Sequence, residues 1–238
     1  MRLLNIRTLE LREFRVGGLP KYVIASHRWI TDQEAKYKDV QERQNTDTLG
    51  YLKVKGFAQY VQNNIPEVGW LWIDTCCIDK SSSQEVSEAI NSMFRWYSEA
   101  EVCLAYLSDV DTLDVEDFIL SEWFTRGWTL QELLAPSMVV FLAKDWRIID
   151  FEQSRSLDVD EKIAWTSGRK TTRDEDMSYC LFGILDVTIG ANYGEGGDKA
   201  RRRLLRELAE NRHIVAPIVG HCSPQRQQTH IGTTWSHG

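Results

Sequence analysis

The sequence predicts an α/β protein: a parallel sheet covered on both faces by helices, followed by a helical extension. Three observations carry this. Four short apolar runs, Tyr22–Ser26, Trp70–Asp74, Val102–Leu107 and Met138–Leu142, have the length and composition of buried strands. Stretches of helical period separate them, and alternation of this kind implies right-handed crossovers and parallel pairing. After about Trp146 the strand signal stops and only helical patterns remain.

The first strand, Tyr22–Ser26, runs into His27, Arg28 and Trp29. A helix is expected from about Leu49 to Asn63, with Phe57, Tyr60 and Val61 toward the core. The second strand ends at Asp74, followed by Cys76, Cys77 and Asp79. Val86, Ile90, Met93, Phe94 and Tyr97 then form one stripe of a helix, which is a core face by its spacing. The third strand leads through the acidic loop from Ser108 to Asp117 to a helix from about Ser121 to Leu134. Farther on, Thr172-Arg-Asp-Glu175 has the pattern of a capping box, opening a helix with Met177, Leu181 and Ile184. Gly194-Glu-Gly-Gly197 follows no strand and reads as a turn before a last helix from about Asp198 to Asn211. The expected units are therefore an α/β core at 1–146, a helical extension at 147–211 and a polar, disordered tail at 212–238.

The 238 residues are 42% hydrophobic, enough for a full core, and the formal charge of -7 argues against a nucleic-acid surface. No stretch approaches the roughly 18 apolar residues of a membrane span, and Met1 to Arg7 lacks a signal-peptide core, so a cytoplasmic protein is expected. Five cysteines form no CxxC pair, and the histidines lack metal-ligand spacing; reduced thiols and no metal site are expected.

Ligands of such sheets sit at the carboxyl ends of strands. That rule nominates Ser26, His27, Arg28 and Trp29 after the first strand and Asp74 after the second. Arg28 suits phosphate, because a guanidinium matches phosphate oxygens in a bidentate fork. Trp128 and Glu132 are four residues apart, which on a helix places ring and carboxylate on one wall. The plain alternatives are a solvent-facing Glu132 paired with Arg126, a Trp128 that only packs, and an Asp74 that accepts backbone N–H groups in its turn. A rival enzyme reading pairs Cys76 or Cys77 with His27 as nucleophile and base.

The segments Tyr22 to Trp29, Trp72-Ile-Asp-Thr-Cys-Cys-Ile-Asp79, Ala89-Ile-Asn-Ser-Met93, Trp123-Phe-Thr-Arg-Gly-Trp-Thr-Leu-Gln-Glu132, Arg169-Lys-Thr-Thr-Arg-Asp-Glu-Asp176 and Tyr193-Gly-Glu-Gly196 together resemble the fungal heterokaryon-incompatibility (HET) domain, over roughly residues 1 to 210. The chain departs from the family at Ile30, where many relatives carry Gly, and beyond about Asn211. The resemblance implies a fungal cell-death effector in self/non-self recognition, with an upstream sensor protein as partner. The core also resembles the Toll/interleukin-1 receptor (TIR) domain, a flavodoxin-like sheet with a Trp-Cys-x-x-Glu-Leu motif. Trp128-Thr-Leu-Gln-Glu-Leu133 fits it, with Thr129 in place of Cys. Several TIR domains cleave nicotinamide from NAD through that Glu. By resemblance Glu132 is the catalytic residue, Trp128 its neighbour, NAD or a related nucleotide the substrate rather than a cofactor, and a homo-oligomer the working form. The other reading is a non-enzymatic, self-associating signalling module.

Overall fold

The computed structural model describes residues 1–15, 17–111, 115–149, 169–185 and 187–210. One six-stranded sheet organises them: β1 (Arg2–Asn5), β2 (Leu11–Glu13), β3 (Val23–His27), β4 (Trp70–Trp72), β5 (Val102–Tyr106) and β6 (Val139–Leu142), in the order β2-β1-β4-β3-β5-β6. The four expected strands are β3 to β6, and all three pairings among them are parallel. The sheet as a whole is mixed. β1 pairs antiparallel with β2 and with β4, placing Leu4 opposite Leu71 at what would otherwise be an open edge. Asn5 shapes the hairpin loop, its side-chain oxygen accepting from the amides of Arg7 and Thr8.

Between β3 and β4 lie α1 (Tyr37–Glu42) and α2 (Leu49–Asn64); Thr48 caps α2 by accepting from the Tyr51 amide. Between β4 and β5 lies α3 (Ser83–Glu99), capped by Ser82 accepting from Glu85 N. It buries Ala89, Ile90, Met93, Trp96 and Tyr97, so of the expected stripe Ile90, Met93 and Tyr97 are in the core while Val86 and Phe94 are half-buried. α4 (Val115–Leu120), a 3₁₀ turn (Glu122–Thr125) and α5 (Thr129–Leu134) join β5 to β6. The single helix expected over 121–134 is thus broken. Arg126 turns extended and forms an isolated bridge to Lys170, and the chain re-enters helix at Trp128.

The last described segment carries α6 (Asp176–Tyr179) and α7 (Gly197–Glu210). The capping box at Thr172 does not form. Glu175 is itself the N-cap residue of α6, and its carboxylate accepts instead from the amides of Gly194 and Gly196, both at positive φ. The glycine cluster is a turn, and it serves as the anchor for that carboxylate. Tyr179, Phe182, Val187, Ala200 and Leu204 pack with Ile90 of α3, so this segment lies against the α/β core. The part of the extension at 150–168 and the tail at 212–238 lie outside the described residues. No helix among those described is long and apolar enough to cross a membrane.

Candidate active site

Crossing from β4 to β5 reverses the direction in which the sheet is wound, and the reversal falls between β3 and β5. Alternation along β3 then sends successive side chains to opposite faces. Ser26 reaches α5, where its hydroxyl donates to the Glu132 carboxylate, while His27 packs its ring 5.8 Å from Phe57 of α2. Ser26 in turn accepts from the Trp123 indole N–H at 2.7 Å. Trp123, Ser26 and Glu132 therefore form a buried chain of hydrogen bonds. Tyr97 of α3 approaches the same carboxylate, and its hydroxyl donates to the Ala25 carbonyl at 3.0 Å.

Glu132 is only 8% exposed. Burial pushes its carboxyl up to about 7; the Ser26 hydrogen bond opposes the rise, the Asp74 charge adds to it, and Arg126 and Arg169 pull it back. A solvent-facing Glu132 paired with Arg126 is therefore not what the chain builds. Thr129, standing where the TIR motif has Cys, is fully enclosed. Its hydroxyl lies 2.8 Å from the carbonyls of Trp123 and Arg126 and accepts from Arg169 Nη1 at 2.6 Å, fixing the entry into α5.

The carboxylate faces a cleft of about 990 Å³. That volume is at the upper end of small-molecule sites. One end holds Asp74, His27, Trp29 and Lys80; the middle holds Glu132, Tyr97, Met93 and Ile90; the other end holds Trp128, Arg173, Asp176 and Tyr193. At the first end His27 Nε2 lies 3.4 Å from Asp74 Oδ1, and Lys80 Nζ lies 3.3 Å from Asp74 Oδ2. Burial works against the Asp74 charge, yet Lys80 and His27 together hold its carboxyl well below the usual range. Lys80 also covers the Trp29 ring at 3.5 Å. At the far end one buried acid, Asp176, accepts from the Tyr193 hydroxyl at 2.8 Å and from the Trp128 side chain. Burial raises the Asp176 carboxyl and the Glu175 charge adds to the rise, while those two donors and the Arg173 charge restrain it.

Of the residues nominated from sequence, Glu132, Trp128, His27, Trp29 and Asp74 line this one cleft. Ser26 sits behind it, holding Glu132. Arg28 does not join them. Its guanidinium pairs with Glu122 of the 3₁₀ turn and lies outside the cleft lining, so the phosphate role assigned to it by the strand-end rule has no geometric basis. The rival nucleophile also fails on geometry. Cys76 and Cys77 are buried, their thiols turned to the carbonyls of Ile73 and Leu71, and the Cys76 thiol is pushed far up by its hydrogen bond with Cys77 and by burial. Four cysteines are free among the described residues, and these residues hold no cluster fit for a metal. Tyr97, Lys80, Arg173, Asp176 and Tyr193 were not singled out from sequence as site residues. Asp176 and Tyr193 lie in the segments that carry the HET resemblance, and Tyr97 was hidden within a core stripe.

The sequence profile of the heterokaryon incompatibility protein (HET) family matches residues 22–118. Vegetative incompatibility protein HET-E-1 of Podospora anserina is 39% identical over 234 residues, covering 85% of this chain and 17% of that relative. The chain thus spans about a sixth of the length of the curated relative it matches. No solved structure matches the chain. The profile match spans the first three of the segments quoted above, and with the relative it shows that the chain contains a heterokaryon-incompatibility (HET) domain.

Proposed function

We propose that this HET domain is a cytoplasmic fungal cell-death effector of self/non-self recognition, acting by TIR-like hydrolysis of NAD to nicotinamide and ADP-ribose. The observation that carries the reading is the placement of Glu132: a buried carboxylate, gripped by Ser26, opening into a large cleft one helical turn from the half-buried Trp128. The incompatibility named in the relative supports the biological half of the proposal.

In the proposed reaction the bond between ribose C1′ and the nicotinamide nitrogen breaks, and the ring leaves neutral with the bonding electron pair. Positive charge develops on the sugar as an oxocarbenium-like centre. The Glu132 carboxylate stabilises that charge in a site where burial weakens competition from water. Ser26 holds the carboxylate in place, and the Trp128 face receives the cationic ring before it departs, an attraction of about 1–2 kcal/mol. Water then adds to C1′ and releases its proton, giving ADP-ribose. Neutral nicotinamide is a good leaving group, so one carboxylate suffices and no general acid is required.

Purified, concentrated protein incubated with NAD is expected to release nicotinamide, followed by chromatography, and Glu132→Gln to reduce the rate at least a hundredfold. Gln is nearly isosteric and removes the charge alone. If wild-type protein releases no nicotinamide from NAD or NADP, the non-enzymatic, self-associating module becomes the better account.

A further inference from the structure

With Arg28 committed to Glu122, the cleft needs other cations if its ligand carries phosphate, and two are in place. Arg126 and Arg173 both line it. They come from distant parts of the sequence, and backbone pairing brings the segments that carry them together. Arg126 forms a parallel bridge to Lys170, the Gly127 amide donates to the Lys170 carbonyl at 3.0 Å, and the Thr171 hydroxyl donates to the Arg173 carbonyl at 2.6 Å. Gly127 permits this approach: a Cβ there would stand 2.6 Å from Thr171 Cγ2.

The charges in the cleft are partnered unevenly. Lys80 is engaged by Asp74 and lies over Trp29. Glu132 is held by Ser26, and Asp176 by Trp128 and Tyr193, all of them neutral donors. Arg126 and Arg173 form no ion pair among the described residues, although the cleft contains three carboxylates. Arg173 rests its guanidinium over the Tyr193 ring, 4.2 Å from the centroid, and acts on the Asp176 and Glu175 carboxylates through its charge without forming an ion pair with either. Arg126 acts on Glu132 only at longer range. Two guanidiniums that line one cleft, neither held in an ion pair among the described residues, match a diphosphate, whose oxygens accept bidentate N–H donors.

We propose that Arg126 and Arg173 bind the diphosphate of a dinucleotide, beside the reacting sugar at Glu132. The assignment of that sugar rests on the NAD reading, whereas the diphosphate site does not. Orientation follows: the nicotinamide riboside lies toward Glu132 and Trp128, and the diphosphate lies over the junction of residues 126–127 with 170–173.

The test is calorimetric binding of ADP-ribose and of adenosine to wild-type protein and to Arg126→Gln, Arg173→Gln and Arg126→Lys. ADP-ribose is expected to bind wild type at least tenfold tighter than adenosine. Each Gln variant should lose at least tenfold for ADP-ribose and leave adenosine unchanged, and Arg126→Lys should recover only part of the loss, because an ammonium lacks the fork. Unaltered thermal melting shows that the variants fold. Equal affinity of wild type for the two ligands, or Gln variants that bind ADP-ribose like wild type, would overturn the proposal. Tight, arginine-dependent binding without nicotinamide release from NAD sinks the hydrolase reading alone; release with an unchanged KM in both Gln variants sinks the diphosphate site alone.

Discussion

Whenever Glu132 ionises in the folded protein, a charge appears where burial has removed most of the water. Its carboxyl titrates near 7 in place of the ordinary 4.5, so the folded state favours the neutral form. The sign follows: this group's contribution to stability is complete below about 4.5, declines as pH rises toward 7 and is gone above it. The decline is on the order of 3 kcal/mol. Urea unfolding at about pH 5 and about pH 8 is expected to show wild type losing stability across that range relative to Glu132→Gln, whose slope there is flatter. Parallel slopes would show that the carboxyl titrates normally. Activity runs the opposite way, because only the ionised carboxylate stabilises a developing cation. Nicotinamide release should rise with pH through about 7, and a rate independent of pH between about 5 and 8 would separate the chemistry from this group.

α3 is the element on which the cleft depends, because it packs on the sheet through Met93 and Tyr97 and on the C-terminal helices through Ile90. Gly183 marks the tightest approach. A Cβ added there would lie 2.1 Å from Phe94 Cβ, which cannot swing away. Gly183→Ala is expected to cost about 1–3 kcal/mol and to expose the segment after 169 to limited proteolysis while β3 to β6 stay protected. Undiminished protection would show that the contact yields without cost. Asp176→Asn keeps one acceptor oxygen for two donors, Trp128 and Tyr193, and should lower the unfolding free energy by about 1–3 kcal/mol. The same elements show what sequence could disclose. β3 to β6 were legible because strands covered on both faces read as unbroken apolar runs. β1 and β2 were not: the first is a four-residue strand, and the second exposes Arg12 and Glu13. Strand ends pointed to His27 and Asp74, which line the cleft because their positions follow from the sheet. Arg28 lies one residue beyond the strand, and its direction is set by a distant acid, Glu122, which no local pattern reports. Tyr97 satisfied the helical core period, and that period says nothing about where its hydroxyl points.

At the scale of the whole molecule, the TIR resemblance carries the expectation of a working homo-oligomer. Specific activity is then expected to rise with protein concentration as copies associate, alongside growth in mass by light scattering. Activity strictly proportional to concentration from a monomer would remove the assembly requirement. The family profile and the folded unit also have different limits. A fragment trimmed to residues 22–118 would retain β3, β4 and β5 but lose β1, which covers β4, and β6, which covers β5. Both sides of the remaining sheet would then present unpaired backbone, the condition for strand-to-strand aggregation. The fragment would also keep His27 and Asp74 while discarding Glu132, Trp128, Asp176 and Tyr193. Failure of so short a piece to kill cells would report insolubility and half a cleft, and would leave the chemistry of the intact domain unjudged.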